Sequence, residues 1–414
     1  MQLSLFTPTN NTEYLYEAYV SLKLQTVTDW EWVIVPNGND VTIPEAIAND
    51  SRVKVVTDSD NLYNIGALKR KAVDHCSGDV FIEFDHDDLL VPGASLQQIK
   101  DKFLEGAGFV YSDTAVFRFL KDKQWRDKEA PKFKEFIYSE QHGWLNYPFK
   151  LYGRELKASK CFDVTPRALA EIYYCPDHVR SWSRQAYYAA GGHNPDLPVC
   201  DDQELMIKTY LAGFKFAHTG YCNYLYRKHD SNTVILRNAK IQELTQQFKT
   251  SYLNLMVKEW VKRNKYSILD LTELRKTGWS LKRDLLQGFG QDRFGHIVAN
   301  MELQKFKGKH VREFMNAAYK ALVPGGYLTI IVPEVHSGMG FGDVEWKSYY
   351  SAISMQPYTM KQHARANGKV ECRFQQIDCV SMYPSDWHKQ NNFKFLKFEL
   401  CALKGQRQPG IQHI

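Results

Sequence analysis

The sequence predicts an α/β protein: a doubly wound domain around an open parallel sheet, followed by a smaller α/β domain. Three observations predict it. Apolar runs over 2–7, 30–35, 53–56 and 80–84 alternate with amphipathic segments, the pattern of strands joined by crossover helices. The connections between them are short, which favours right-handed β-α-β units and a parallel sheet. The run 80–84 is apolar at nearly every position, as in a strand buried on both faces, and leads straight into Asp85-His86-Asp87-Asp88. Open α/β sheets gather their ligands at the carboxyl ends of the strands.

In order, the first strand covers 2–7 and ends at Pro8; Thr12 then caps a helix over 13–24. The strand at 30–35 stops at Pro36-Asn37-Gly38-Asn39-Asp40, and a short helix follows over 43–48. After the strand at 53–56, a helix over 65–74 carries Lys69, Arg70 and Lys71. The ligand crevice is expected near Thr7, Asn37 and Asp85. A further strand is expected over 106–114, with Asp113 at its end. The basic, aromatic stretch 118–134 reads as a solvated loop or as a lid facing a polyanionic acceptor. Asp201-Asp202-Gln203-Glu204 opens an amphipathic helix, and a strand over 221–226 leads into Arg227-Lys228-His229-Asp230. A helical connector spans 236–265, between domains over 1–235 and 266–414.

Composition sets bounds. The chain has 414 residues, 24% charged and 44% hydrophobic, with net charge +6 and 14% aromatics. That is a globular composition, mildly basic, so a polyanionic partner is allowed but not demanded. The eight cysteines include no C-x-x-C pair and read as reduced thiols. No apolar run reaches the roughly 20 residues of a membrane span. The chain opens directly on a strand, with no signal-peptide pattern, and the expected location is the cytoplasm.

The acids carry the chemistry. Three carboxylates within four residues repel one another, and a divalent cation gripping a diphosphate offsets that repulsion. A bare D-x-D also caps turns; the buried strand before it favours the ligand reading here. Asp201 and Asp202 alone read as charge at a helix N-terminus; with the Gly191-Gly192 turn before them they read as a general base, since adjacent acids raise one pKa.

With these residues in view, the first part of the chain resembles a family 2 glycosyltransferase of the GT-A fold. The turn Thr7-Pro8-Thr9-Asn10, the run Gly66-Ala67-Leu68-Lys69-Arg70, Asp85-His86-Asp87, the Gly191-Gly192 turn before Asp201-Asp202, and Tyr226-Arg227-Lys228-His229 carry the likeness. The resemblance implies a UDP-sugar donor and Mn²⁺ or Mg²⁺. It places Thr7, Pro8, Thr9, Asn37, Gly66, Lys69, Arg70, Asp85, Arg227 and Lys228 around the nucleotide-sugar. It puts the ion on Asp85, Asp87 and His229, and the general base on Asp202 with Asp201 in support. The family's D-D-G-S-x-D is Pro36-Asn37-Gly38-Asn39-Asp40 here; both leading acids are missing, and Asn37 stands where the base is contacted. The Q-x-x-R-W of processive members is absent, which implies single transfers.

The tail resembles the second half of a class I methyltransferase in its late helix, Pro324-Gly325-Gly326 and the strand that follows. The glycine-rich loop for S-adenosylmethionine is missing, and Gly288-Phe289-Gly290 is a lone G-x-G. A degenerate, partial Rossmann-like domain is expected, serving packing, homodimerisation or acceptor binding. Taken whole, the chain resembles bacteriophage glycosyltransferases that decorate hydroxymethylated bases in double-stranded DNA, which would place it in the host cytoplasm. The rival acceptors are cell-surface polysaccharides or glycoproteins, and a rival from another class is a non-catalytic nucleotide-sugar-binding protein.

Overall fold

The computed structural model describes residues 1–38, 40–57, 64–119, 133–151, 154–171, 176–276, 289–367, 369–405, 407 and 409. Asn39, Gly288 and most of the basic stretch 118–134 lie outside the described residues. The chain divides into two compact units, Met1–Met256 and Val257–Ile414. The division falls inside the helix Asn238–Arg263. Among the described residues no helix is long and apolar enough to cross a membrane.

The first unit contains β1 (Leu3–Thr9), β2 (Trp30–Pro36), β3 (Val53–Val55), β4 (Val80–Glu83), β5 (Leu89–Leu90), β6 (Phe109–Phe119), β7 (Phe133–Phe136), β8 (Leu145–Leu151), β9 (Arg154–Lys160), β10 (Ser181–Ser183) and β11 (Phe216–Arg227). Its main sheet runs β3-β2-β1-β4-β10-β6-β11-β5, with β7, β8 and β9 branching from β6. The half built from β1 to β4 is parallel. The other half is mixed: β10 runs antiparallel to both β4 and β6, and β5 antiparallel to β11. The expected α/β architecture is therefore present, with a mixed sheet rather than a wholly parallel one.

Pro8 does not end β1. It pairs with Val35 of β2, whereas the pairing of β1 with β4 stops at Phe6. A residue without an N–H is tolerated where no strand lies on its open side. The first helix is Leu15–Lys23, and its N-cap is Tyr14 without a side-chain bond. Thr12 contributes its carbonyl to Leu15 N instead of a hydroxyl cap. Leu15, Ala18, Tyr19 and Leu22 face the core beside Leu5, Trp32, Ile34 and Ile82. Burying such a side chain stabilises by about 1.5–3 kcal/mol, so Leu22→Ala would be felt across the parallel half. Asp113 lies mid-strand in β6 and is buried because Tyr147 Oη, Cys161 N and His218 Nε2 all bond to its carboxylate at 2.7–2.8 Å.

The second unit contains β12 (Ser267–Asp270), β13 (Phe294–Asn300), β14 (Leu322–Pro333), β15 (Phe374–Met382) and β16 (Phe395–Ala402), in the order β12-β13-β14-β16-β15. β12 to β14 are parallel, and β16 is antiparallel to β14 and β15. Helix Gly308–Ala321 buries Val311, Phe314, Met315 and Ala318 against Ile297, Leu328, Ile330 and Phe398. Pro324-Gly325-Gly326 does not form a separate turn; it lies within β14, where the register with β13 shifts between Phe294 and His296. On this sheet His296 Nε2 meets Thr329 Oγ1 at 2.8 Å, Thr329 donates to Glu399 at 2.6 Å, and Lys397 Nζ lies 2.6 Å from Glu399.

Candidate active site

Glu83 is the centre of the site's scaffold. It sits on β4 among Phe81, Ile82 and Phe84, only 2% exposed, and a buried carboxylate needs partners. Lys69 Nζ bonds it at 2.8 Å and lies 3.4 Å from Asp201. Arg180 lies 3.5 Å from Glu83 and pairs closely with Asp202. His193 Nδ1 lies 2.8 Å from Asp201. A chain of charges thus joins β4, the helix Ile65–Asp74 and the N-terminus of helix Asp201–Leu211. β10 is what brings Arg180 there: Glu83 N donates to Arg180 O at 2.9 Å.

This arrangement gives several sequence-predicted residues an inward task. Lys69 is the buried counter-ion of Glu83 and Asp201, and holds no surface for a phosphate. Arg70 donates to the carbonyl of Gly191 at 2.5 Å and so fastens the glycine turn ahead of the acidic pair. Gly66 is required by close packing, since a Cβ there would lie 2.1 Å from Asn194 O. Thr7 is fully buried; its hydroxyl donates to Phe84 O at 2.5 Å and accepts from Trp32 Nε1 at 2.8 Å. Pro8 is buried in β1, and Thr9 bonds Asn11 O at 2.7 Å while its carbonyl accepts from Asn37 N at 2.7 Å. Asn37 is half-buried, with Oδ1 lacking a hydrogen-bond partner among the described residues.

The two acids of the helix start differ. Burial raises the proton affinity of both, but Lys69 and His193 outweigh it at Asp201 and hold that carboxyl well below the usual range. At Asp202, burial wins over Arg180 and Lys69, and the pKa is raised. Asp202 keeps 14% of its side chain exposed against 2% for Asp201. Cys200 enters the helix in the left-handed conformation, φ 60°, and Asp201, Asp202 and Glu204 complement the positive helix end.

Around the turn after β4, burial and then the neighbouring Glu83 push Asp85 up to about 7. Asp87 bonds His229 Nε2 at 2.7 Å, and this bond keeps it low despite burial. His229 Nδ1 is bonded in turn to Ser231 at 2.7 Å. Arg227 is 2% exposed: its Nε donates to Asp87 O at 2.5 Å, its amide to Asp88 at 2.6 Å, and its guanidinium reaches Glu17. It shapes the acidic turn, whereas Lys228 is exposed. Donor atoms of Asp85, Asp88 and His178 lie within 4.8 Å of one another.

The sequence reading missed Arg180, His178 and the role of Asp88. Glu83 was the available signal, because an acid inside an apolar strand demands cations elsewhere in the chain. Nothing in Asp177-His178-Val179-Arg180 itself marks the segment; only the antiparallel insertion of β10 places it.

Residues 4–171 match the family model described as Glycosyl transferase family 2. No curated protein matches the chain. Among solved structures, S. aureus TarS 1–349 in complex with UDP-GlcNAc is similar at 17% identity and TM-score 0.41, over 56% of this chain and 60% of that one. The same protein in complex with UDP is similar at 15% identity and TM-score 0.41, over 78% and 80%. S. aureus TarS is similar at 14% identity and TM-score 0.40, over 62% and 43%.

Proposed function

We propose that the family 2 glycosyltransferase segment at residues 4–171, completed by residues 176–232, transfers a sugar from a UDP-sugar to an acceptor hydroxyl with inversion. The observation that carries this reading is the position of Asp202. It is the solvent-reaching acid of a buried network anchored on the end of β4, and its proton affinity is raised. In the reaction Asp202 takes the hydroxyl proton as the acceptor oxygen bonds to the sugar's anomeric carbon. The bond from that carbon to the diphosphate oxygen breaks, and UDP leaves with the electron pair. Arg180 orients the carboxylate, and Asp201 stays ionised between Lys69 and His193.

The acids after β4 fit a divalent ion, because Asp85 and Asp88 lie together with His178 and no Lys or Arg is paired to either carboxylate among the described residues. Mn²⁺ or Mg²⁺ held there would neutralise charge on the departing diphosphate. Asn37, with its open Oδ1, suits the N3–H of uracil, and Lys228 suits the diphosphate.

The acceptor in this reading is hydroxymethylated cytosine in double-stranded phage DNA, supported by the mildly basic chain and its resemblance as a whole; the location is then the host cytoplasm. The second unit is read as a degenerate methyltransferase-like domain that serves acceptor binding or homodimerisation. The test is mass spectrometry of duplex DNA, with and without 5-hydroxymethylcytosine, after incubation with the full chain, Mn²⁺ and a panel of UDP-sugars. A hexose or pentose gain on the hydroxymethylated duplex alone is expected. Donor hydrolysis without that gain moves the acceptor to a saccharide. UDP binding with no sugar released from any donor overturns the transferase reading in favour of a binding protein.

A further inference from the structure

His178 is a buried imidazole whose ring nitrogens make no hydrogen bond among the described residues. It is 6% exposed, and Nδ1 has no hydrogen-bond partner among the described residues. Nε2 faces Asp85 Oδ2 at 3.9 Å, beyond hydrogen-bond length. It is Nε2, not the orphaned Nδ1, that faces the acids, and at that distance it makes no hydrogen bond to them. The ring is not loosely placed: it stacks on Tyr224 at 4.6 Å and 11°, and lies 5.8 Å from Tyr226. Its aim is therefore fixed by packing, as a preorganised ligand requires.

What the ring aims at is acidic. Asp85 and Asp88 bring carboxylate oxygens into one cluster with a His178 nitrogen, all within 4.8 Å, a span that an ion bonded at roughly 2.0–2.4 Å can bridge. Asp88 is 1% exposed and anchored through Oδ1 by the Arg227 amide at 2.6 Å. The side chain of Asp85 is 32% exposed, leaving an open side toward a ligand. The neighbouring pair, Asp87 and His229, is committed elsewhere, since the two bond each other at 2.7 Å and His229 also bonds Ser231.

We propose that His178 is a nitrogen ligand of the divalent ion, forming with Asp85 and Asp88 a mixed nitrogen–oxygen site, and that this site favours Mn²⁺, Co²⁺ or Zn²⁺ over Mg²⁺. Imidazole suits transition metals, whereas Mg²⁺ takes oxygen donors. The proposal rests on the transferase reading only in placing the ion where the donor diphosphate binds.

The test is Mn²⁺ titrated into the full chain without nucleotide, followed by pulsed electron paramagnetic resonance of the bound ion. The expected result is ¹⁴N coupling to bound Mn²⁺ in the native chain, replaced by ¹⁵N coupling in uniformly ¹⁵N-labelled chain. H178Q removes the coupling and weakens Mn²⁺ binding by at least about tenfold, H229Q keeps it, and Mg²⁺ displaces Mn²⁺ only in large excess. Bound Mn²⁺ without nitrogen coupling in the native chain overturns the proposal, a result independent of how any variant folds. So does coupling lost in H229Q and kept in H178Q, which assigns the ion to the Asp87–His229 pair, and so does failure to bind Mn²⁺. Sugar transfer is scored separately: nitrogen-coupled Mn²⁺ without turnover removes the transferase reading and leaves the site, and turnover with an all-oxygen ion does the reverse.

Discussion

In the first unit Glu83 sits on β4 with Lys69 and Arg180 against it; in the second, Glu399 sits on β16 with Thr329 and Lys397 against it. Each carboxylate is 2% exposed in the middle of a sheet. Around Glu399 the account closes: one cation, one hydroxyl donor, and beyond the hydroxyl a neutral His296. Around Glu83 it does not. Asp85, Asp87, Asp88, Asp201 and Asp202 crowd the same strand end; Asp87 has His229, Asp201 has Lys69 and His193, and Asp202 has Arg180, but Asp85 and Asp88 have no Lys or Arg paired to them among the described residues. A buried acid with balanced partners is a fastening inside a sheet. A surplus of buried acid is what the proposed ion and the proposed base would draw on.

The comparison breaks most visibly at Asp202. D202N keeps donor binding and loses about 10²–10⁴ in turnover, read as kcat against the dissociation constant for UDP; equal loss of both would move Asp202 into the binding machinery. Next comes K69M, which strands Glu83 and Asp201 without their shared cation. Removing one partner of a buried pair costs roughly 3–5 kcal/mol, so the first unit's unfolding transition should fall in calorimetry while the second unit's stays. A single transition shifting as a whole would show that the two units do not melt separately.

The balanced cluster has its own signature in pH. Burial, aided by Lys258 and Lys397, lowers His296 to about 4, against about 6.5 in the unfolded chain. Between those values the unfolded chain binds the extra proton, so the second unit loses stability as pH falls from about 6.5 toward 4. The loss is about 2–3 kcal/mol, less than the full shift because burial raises Glu399, whose protonation acts in the opposite direction. H296Q should flatten this dependence; an unchanged pH profile in that variant would place the titrating group elsewhere. The smallest change lies outside both clusters. Asn64 caps helix Ile65–Asp74 by accepting from Gly66 N at 3.2 Å, and N64A should cost about 1 kcal/mol with donor binding untouched.

The parallel half of the sheet was legible because each strand there is an apolar run flanked by helical spacing, although β4 returns beside β1 rather than β3. The acidic turn after β4 was legible for the same reason. The other half was not. β10 is three residues long, too short for any alternation to show, and it joins β4 to β6 out of sequence order. His178 and Arg180 arrive with it, so their place was hidden along with it. Lys69, Arg70 and Gly66 were read toward the ligand because a basic run near a glycine looks alike whether it faces a phosphate or a buried acid. Only the partners distinguish the two: Glu83 and Asp201 for Lys69, and the Gly191 carbonyl for Arg70.

The placement of β10 also bears on how the chain acquires its shape as it is made. β4 and β6 are complete by Phe119, yet the strand between them comes from Ser181–Ser183, and the parallel partner of β6 from Phe216–Arg227. At about 5–20 residues per second, the ribosome needs on the order of ten seconds to deliver those strands. Until then the apolar edges of β4 and β6 stand open beside an unfinished acidic turn. Open edges of this kind can pair with another chain, and a fragment ending at residue 171 would lack β10 and β11, the strands that cover them.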